Sequence, residues 1–215
     1  MSTSVIAAGA YFALYTTQIL AGPLFMPPLE LSRPICTKYT GRFTFLTYQT
    51  NLIGTLFFGA NLLHTLGLVD ATFVLVHGFP LVFAMSVFLT VAYYGLDHFQ
   101  PANRACREEW EQKGWPHFTL ACHLQHGFAL PVALLHAKTL TDEIAADVRI
   151  YGFEDIVHCA QYAGLYLCFM MLLRYLTGEF VYPIFDPITE KHGMTGAVVF
   201  GTLLSLFVTL IRGPR

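Results

Sequence analysis

Charge is what this chain has least of. Aspartate, glutamate, lysine and arginine make up 12% of its residues, about half the roughly 25% share of a soluble domain. Together with 55% hydrophobic residues and a mean hydropathy of +0.54, that scarcity puts the chain among membrane proteins. The formal net charge of −2 offers nucleic acid no basic surface. None of the five cysteines (Cys36, Cys106, Cys122, Cys159, Cys168) forms a Cys-x-x-Cys pair, and three lie in apolar segments, so they read as buried free thiols. No basic stretch precedes the first apolar run and no cleavage site follows it, which predicts a retained helix rather than a signal peptide. Internal repeats, low-complexity tracts, a soluble domain and a Gly-x-Ser-x-Gly elbow are absent as well.

What is present is long apolar runs. Their lengths predict six membrane spans, at Val5–Phe25, Phe43–Leu63, Ala71–Gly95, His117–Ala137, Ile156–Leu176 and Gly193–Ile211. The expected fold is all-α, one bundle of six transmembrane helices forming a single domain over residues 1–215. Pro23, Pro27 and Pro28 end the first span, Pro80 is expected to kink the third, and residues 97–116 read as a polar loop. The aromatic stretch Thr177–Phe185 suits a membrane interface. Six spans leave both termini on one side. Arg33, Lys38, Arg42, Arg104, Arg107, Lys113, Arg174 and Lys191 then face Lys138, Arg149, Arg212 and Arg215 across the bilayer. Eight cations against four predict that the first set is cytoplasmic.

Several spans carry a polar face. Thr47, Thr50, Asn51, Gly54, Asn61 and His64 recur at helical spacing along the second, as do Tyr11, Tyr15 and Gln18 along the first. Polar groups in hydrocarbon are costly without partners, so these faces should point inward. His123 and His126 give the fourth span a similar side. Six of the nine histidines (His64, His77, His123, His126, His136, His158) fall in or at the ends of spans. Singly they read as helix–helix hydrogen bonds, but as a set they point to function. The residues alone leave several chemistries open. His123 and His126 can share one metal ion, facing histidines can hold a haem for electron transfer, and a zinc-dependent lipid hydrolase is a further option. Against metal, dense histidine clusters and intramembrane carboxylates are missing. Alternatively Thr47 or Thr50 is a nucleophile, with His126 or His123 as its base.

Three stretches carry a family resemblance. Gly41-Arg42-Phe43-Thr44-Phe45-Leu46-Thr47 with Gly54-Thr55-Leu56-Phe57-Phe58-Gly59 comes first. His123-Leu124-Gln125-His126-Gly127-Phe128-Ala129-Leu130-Pro131 and Thr177-Gly178-Glu179-Phe180-Val181-Tyr182-Pro183-Ile184-Phe185 follow. In order and spacing they resemble the androgen-induced protein and androgen-dependent TFPI-regulating protein family. The resemblance implies a multi-pass hydrolase of fatty acid esters of hydroxy fatty acids, in the endoplasmic reticulum or plasma membrane. It implies Thr47 as nucleophile, His126 as base, a lipid substrate from the bilayer and no cofactor. His123 matches the first histidine of the pair, with an orienting or structural part, and Asn51 or His123 is the candidate oxyanion donor. Thr50 stands where the family often has Asn, and Phe43-Thr44 lacks the usual basic residue. No carboxylate inside a span is placed to orient His126; Asp155 and Glu179 at span ends are the nearest. One expectation runs the other way. Thr47 lies five residues past Arg42 and His126 thirteen past Lys113, a depth difference of roughly 12 Å at about 1.5 Å per residue.

Overall fold

A computed structural model describes residues 3–28, 31, 38–139, 153–182 and 184–210. Arg33, Cys36, Arg149, Pro183, Ile211, Arg212 and Arg215 lie outside the described residues, as does the side chain of Asp155. The described chain is helical with no strand. In order it runs α1 (Thr3–Phe25), a 3₁₀ turn (Gly41–Thr44), α2 (Leu46–Thr65) and α3 (Thr72–Ala92), which passes into a π-helical turn (Tyr93–His98). Then come α4 (Pro101–Gln112), α5 (Phe118–Gly127), α6 (Ala129–Thr139), α7 (Phe153–Thr177) and α8 (Phe185–Leu210). Four stretches are long and apolar enough to cross a membrane: Thr3–Phe25, Thr72–His98, Phe118–Thr139 and Ile156–Thr177.

Several boundaries differ from expectation, each for a local reason. Residues 97–116 are not a loop, since α4 fills most of them. Pro101 opens it at the first turn, and Arg104–Glu108 and Glu109–Lys113 ion pairs lie one turn apart along its surface. The second span begins at Leu46 rather than Phe43, because Phe45 is extended (φ −90°, ψ 131°) and separates the 3₁₀ turn from α2. The fourth is two helices, broken at Phe128. Pro131 has no N–H for the Gly127 carbonyl and its ring crowds that oxygen. Pro80, by contrast, stays inside an unbroken α3. The last helix starts eight residues before the expected Gly193, which instead lies inside α8 at φ 66° as a bend. Within the aromatic stretch, Phe180 and Val181 follow Gly178 (φ 76°) and are buried in the core between α7 and α8.

Lipid tails are as apolar as leucine, so helices here gain from close packing rather than from escaping water. Gly54 shows how. A Cβ there would sit 2.0 Å from the Tyr15 ring, so only glycine lets α1 lie so close to α2. Tyr15 then reaches further. Its hydroxyl lies 2.6 Å from Ser86 Oγ of α3 and donates to the Ala129 carbonyl of α6 at 3.3 Å. Around it the rings of Tyr11, Phe57, Phe58, Phe79 and Phe83 form one core shared by α1, α2, α3 and α6. The predicted inward faces are inward: Tyr11, Tyr15 and Gln18 of α1 are buried, as are Thr50, Asn51, Gly54 and Asn61 of α2. A second core, with Met170, Leu173, Phe180 and Phe185, holds α7 to α8. Between the two cores lies a cavity.

Candidate functional site

The start of α2 packs beside the second half of α5, which closes the depth gap expected from the sequence. A Cβ on Gly22 of α1 would lie 2.8 Å from Arg42 Nη1 and 2.6 Å from Gln125 Nε2. The Arg42 guanidinium therefore stands level with Gln125, next to His126. From there the 3₁₀ turn and extended Phe45 deliver Thr47, the second residue of α2, to the wall of α5. Thr47 Oγ1 and His126 Nε2 are 3.1 Å apart.

Two contacts fix the His126 ring and a third holds its backbone. Its Nδ1 lies 2.6 Å from the Cys122 carbonyl one turn earlier. A carbonyl oxygen only accepts, so Nδ1 carries the proton and Nε2 of the neutral ring is left to accept the Thr47 hydroxyl. Tyr93, from the π-helical turn, stacks on the imidazole at 4.2 Å between centroids and 10° between planes. The Thr90 hydroxyl donates to the His126 main-chain carbonyl at 2.6 Å, beside the break made by Pro131. The Cys122 carbonyl is thus the orienting group that no carboxylate supplies.

The other candidates have different surroundings. The Asn51 amide donates to the Gln125 carbonyl at 3.0 Å; it ties α2 to α5 beside His126 and is not among the residues lining the cavity. His123 bonds through Nδ1 to the Tyr94 hydroxyl at 2.9 Å and packs on the His98 ring. The hydroxyl of Thr50 is buried without a hydrogen-bond partner among the described residues. His123 and His126 are committed to separate partners, and among the described residues no three His, Cys, Asp or Glu side chains gather as a metal site. The remaining histidines are dispersed. His64 accepts the Ala71 N–H, His77 lies on Phe73, His158 is exposed and His136 sits in the aromatic core.

Thr47 and His126 open onto a cavity of about 430 Å³. Three phenols bind its wall to the start of α2. Tyr166 donates to the Thr44 carbonyl at 2.9 Å, Tyr182 accepts the Leu46 N–H at 2.9 Å, and Tyr162 donates to Gln49 Oε1 at 2.9 Å. Apolar Leu167, Met170, Phe185 and Leu204 of α7 and α8 line the cavity. Polar Asp97, Asn103 and Arg107, from the π-helical turn and α4, line it as well. Sequence reasoning missed Tyr93, Thr90, Tyr166 and Arg107. The signal for Tyr162 and Tyr166 was their four-residue spacing, which sets both on one face of α7.

The sequence profile of FAR-17a/AIG1-like proteins matches residues 10–212. The chain belongs to that family. No curated protein and no solved structure matches it. In this FAR-17a/AIG1-like membrane protein the three motif stretches, far apart in sequence, meet at one cavity. Thr47 comes from the first, His126 from the second and Tyr182 from the third.

Proposed function

We propose that this protein is a threonine-dependent membrane esterase that hydrolyses fatty acid esters of hydroxy fatty acids. In this reading α1, α2, α3, the α5–α6 pair, α7 and α8 are six membrane spans, and the substrate enters from the bilayer. The single observation that supports it most is the Thr47–His126 contact of 3.1 Å on a cavity wall, with Nδ1 held by the Cys122 carbonyl. His126 Nε2 takes the hydroxyl proton as Thr47 Oγ1 attacks the ester carbonyl, and the Nε2–H then protonates the departing alkoxide, releasing the hydroxy fatty acid. Water next attacks the acyl-threonine and gives its proton to His126. Collapse of the second intermediate frees the fatty acid and returns that proton to Thr47. The oxyanion forms beside the first turn of α2. There main-chain N–H groups have no acceptor within the helix, and the positive end of the helix dipole faces negative charge. The apolar lining from α7 and α8 suits an aliphatic chain.

The test compares membranes bearing wild type, Thr47→Ala and His126→Ala at matched expression, following ester hydrolysis by mass spectrometry. Each substitution is expected to lower the rate at least about a hundredfold, the usual scale for a lost general base or nucleophile. Wild-type membranes without activity, or a variant that keeps it, would overturn the assignment.

A further inference from the structure

The polar lining residues on the π-helical turn and α4 take no part in the Thr47–His126 step. Chief among them is Arg107 of α4. Arg104, Glu108 and Glu109 on the same short helix lie exposed, as a surface helix demands, yet Arg107 is only 5% exposed and lines the cavity. An arginine needing only a surface partner has one available by the route Arg104 takes, pairing with Glu108 in water. Arg107 is turned inward instead, and inward burial of a guanidinium is costly unless its donors are used.

Two of those donors are engaged. Nη1 meets Asp97 Oδ2 at 3.1 Å, and Nη2 donates to the His98 carbonyl of the π-helical turn. A guanidinium has five N–H groups, so these bonds fix the head group and leave donors for a further acceptor. The Asp97 side chain is about half exposed, at 48%, so water screens much of its charge, whereas Arg107 is shielded. The same turn carries Tyr93, which stacks on His126, so one short piece of backbone touches both the guanidinium and the base.

We propose that Arg107 binds a free carboxylate at one end of the lipid whose ester is presented to Thr47. The proposal rests on the esterase reading and gives it a specificity. A fixed, shielded fork of N–H donors matches a carboxylate bidentately. A lipid ester bearing such an acid group pairs with it, while a neutral ester leaves those donors without an acceptor. Arg107 is then a binding residue that selects acidic esters over neutral ones.

The experiment measures kcat/KM for the palmitate ester of a hydroxystearic acid and for the methyl ester of the same compound, in identical mixed micelles. Wild type is expected to favour the free acid by at least about tenfold. Arg107→Gln should bring that ratio to about one, and Arg107→Lys, which keeps the charge but loses the fork, should fall between. Cys106→Asp, at an exposed cavity residue beside Arg107, adds a negative charge and should lower the ratio without touching the guanidinium. A ratio cancels any difference in folded fraction. A wild-type ratio near one overturns the proposal whether or not Arg107→Gln folds, and so does an unchanged ratio in Arg107→Gln or Cys106→Asp. Wild type cleaving neither compound removes the esterase reading itself, and the carboxylate anchor falls with it.

Discussion

His126 and His136 stand ten residues apart on consecutive helices, and their surroundings could hardly differ more. His136 is 4% exposed and is ringed by Tyr11, Phe57, Phe58 and Phe79, each at 5.0–5.8 Å and steeply inclined to it. Neither of its ring nitrogens has a hydrogen-bond partner among the described residues. It serves as one more aromatic plate in a dry core. His126 has a partner on each nitrogen, a stacked phenol on one face and a cavity beside it. One residue type in one bundle yields a packing element or a polarised pair, and the choice is made by what the backbone brings within about 3 Å.

The widest test of that contrast is a pair of substitutions. His126→Ala should cut hydrolysis about a hundredfold to ten-thousandfold with little change in melting temperature. His136→Phe should leave the rate within about twofold and raise stability by about 1–3 kcal/mol, since it removes two buried nitrogens that lack partners. Thermal unfolding in detergent, alongside the mass-spectrometric assay, reads both; loss of activity in His136→Phe would erase the distinction. Next in size is Gly54→Val. Its Cβ would enter the Tyr15 ring, so α1 must move away from α2, at a cost of about 1–3 kcal/mol or more. The melting temperature falls in proportion, and activity follows because Tyr15 also anchors α3 and α6. A smaller effect belongs to Thr90→Val, which takes the donor from the His126 carbonyl. A net loss near 1 kcal/mol is expected, read as a several-fold lower kcat with KM unchanged, and an unaltered kcat would show that the helix break holds itself.

The smallest effect lies outside the spans. Glu111 accepts from the Thr119 hydroxyl and, at 3.1 Å, from the Thr119 N–H, and these bonds, the hydroxyl's foremost, hold its carboxyl below the ordinary value of 4.5. Its pKa is lower folded than unfolded, so its contribution to stability is present above pH 4.5 and is lost as pH falls through the folded value. A Glu111→Gln variant should show a slightly flatter decline of melting temperature on acidification, and parallel curves would assign the acid sensitivity elsewhere.

How legible all this was depends on what carries the information. Inward faces were legible because helical periodicity is written in residue type: Tyr11, Tyr15 and Gln18, or Thr50, Asn51 and Gly54, sit where spacing put them. The proximity of Thr47 to His126 came from resemblance and ran against a depth estimate that took Arg42 for a surface residue. The Arg42 guanidinium lies beside Gln125, and that placement depends on the backbone path set at Gly41 (φ 56°) and extended Phe45 rather than on polarity. The orienting group was invisible for a plainer reason. A main-chain carbonyl has no letter in the sequence, so a search for acidic side chains passes over Cys122 O. Arg107 was hidden by its own context, since a charged helix between spans reads as solvated from end to end. The break at Phe128 had a visible cause in Pro131, yet Pro80 in α3 leaves its helix unbroken, so proline alone did not decide it.

The choice of a carbonyl to steer His126 bears on how the chain reaches the membrane at all. An aspartate at the centre of an inserting segment adds about 2.5–3.5 kcal/mol to the cost of leaving the translocon. Phe118–Thr139 is among the less hydropathic of the four long apolar stretches, at 1.3, and has little reserve to absorb such a charge. By borrowing an oxygen its own helix already carries, the segment aligns an imidazole without adding a carboxylate to the one full charge, Lys138, that it holds near its end.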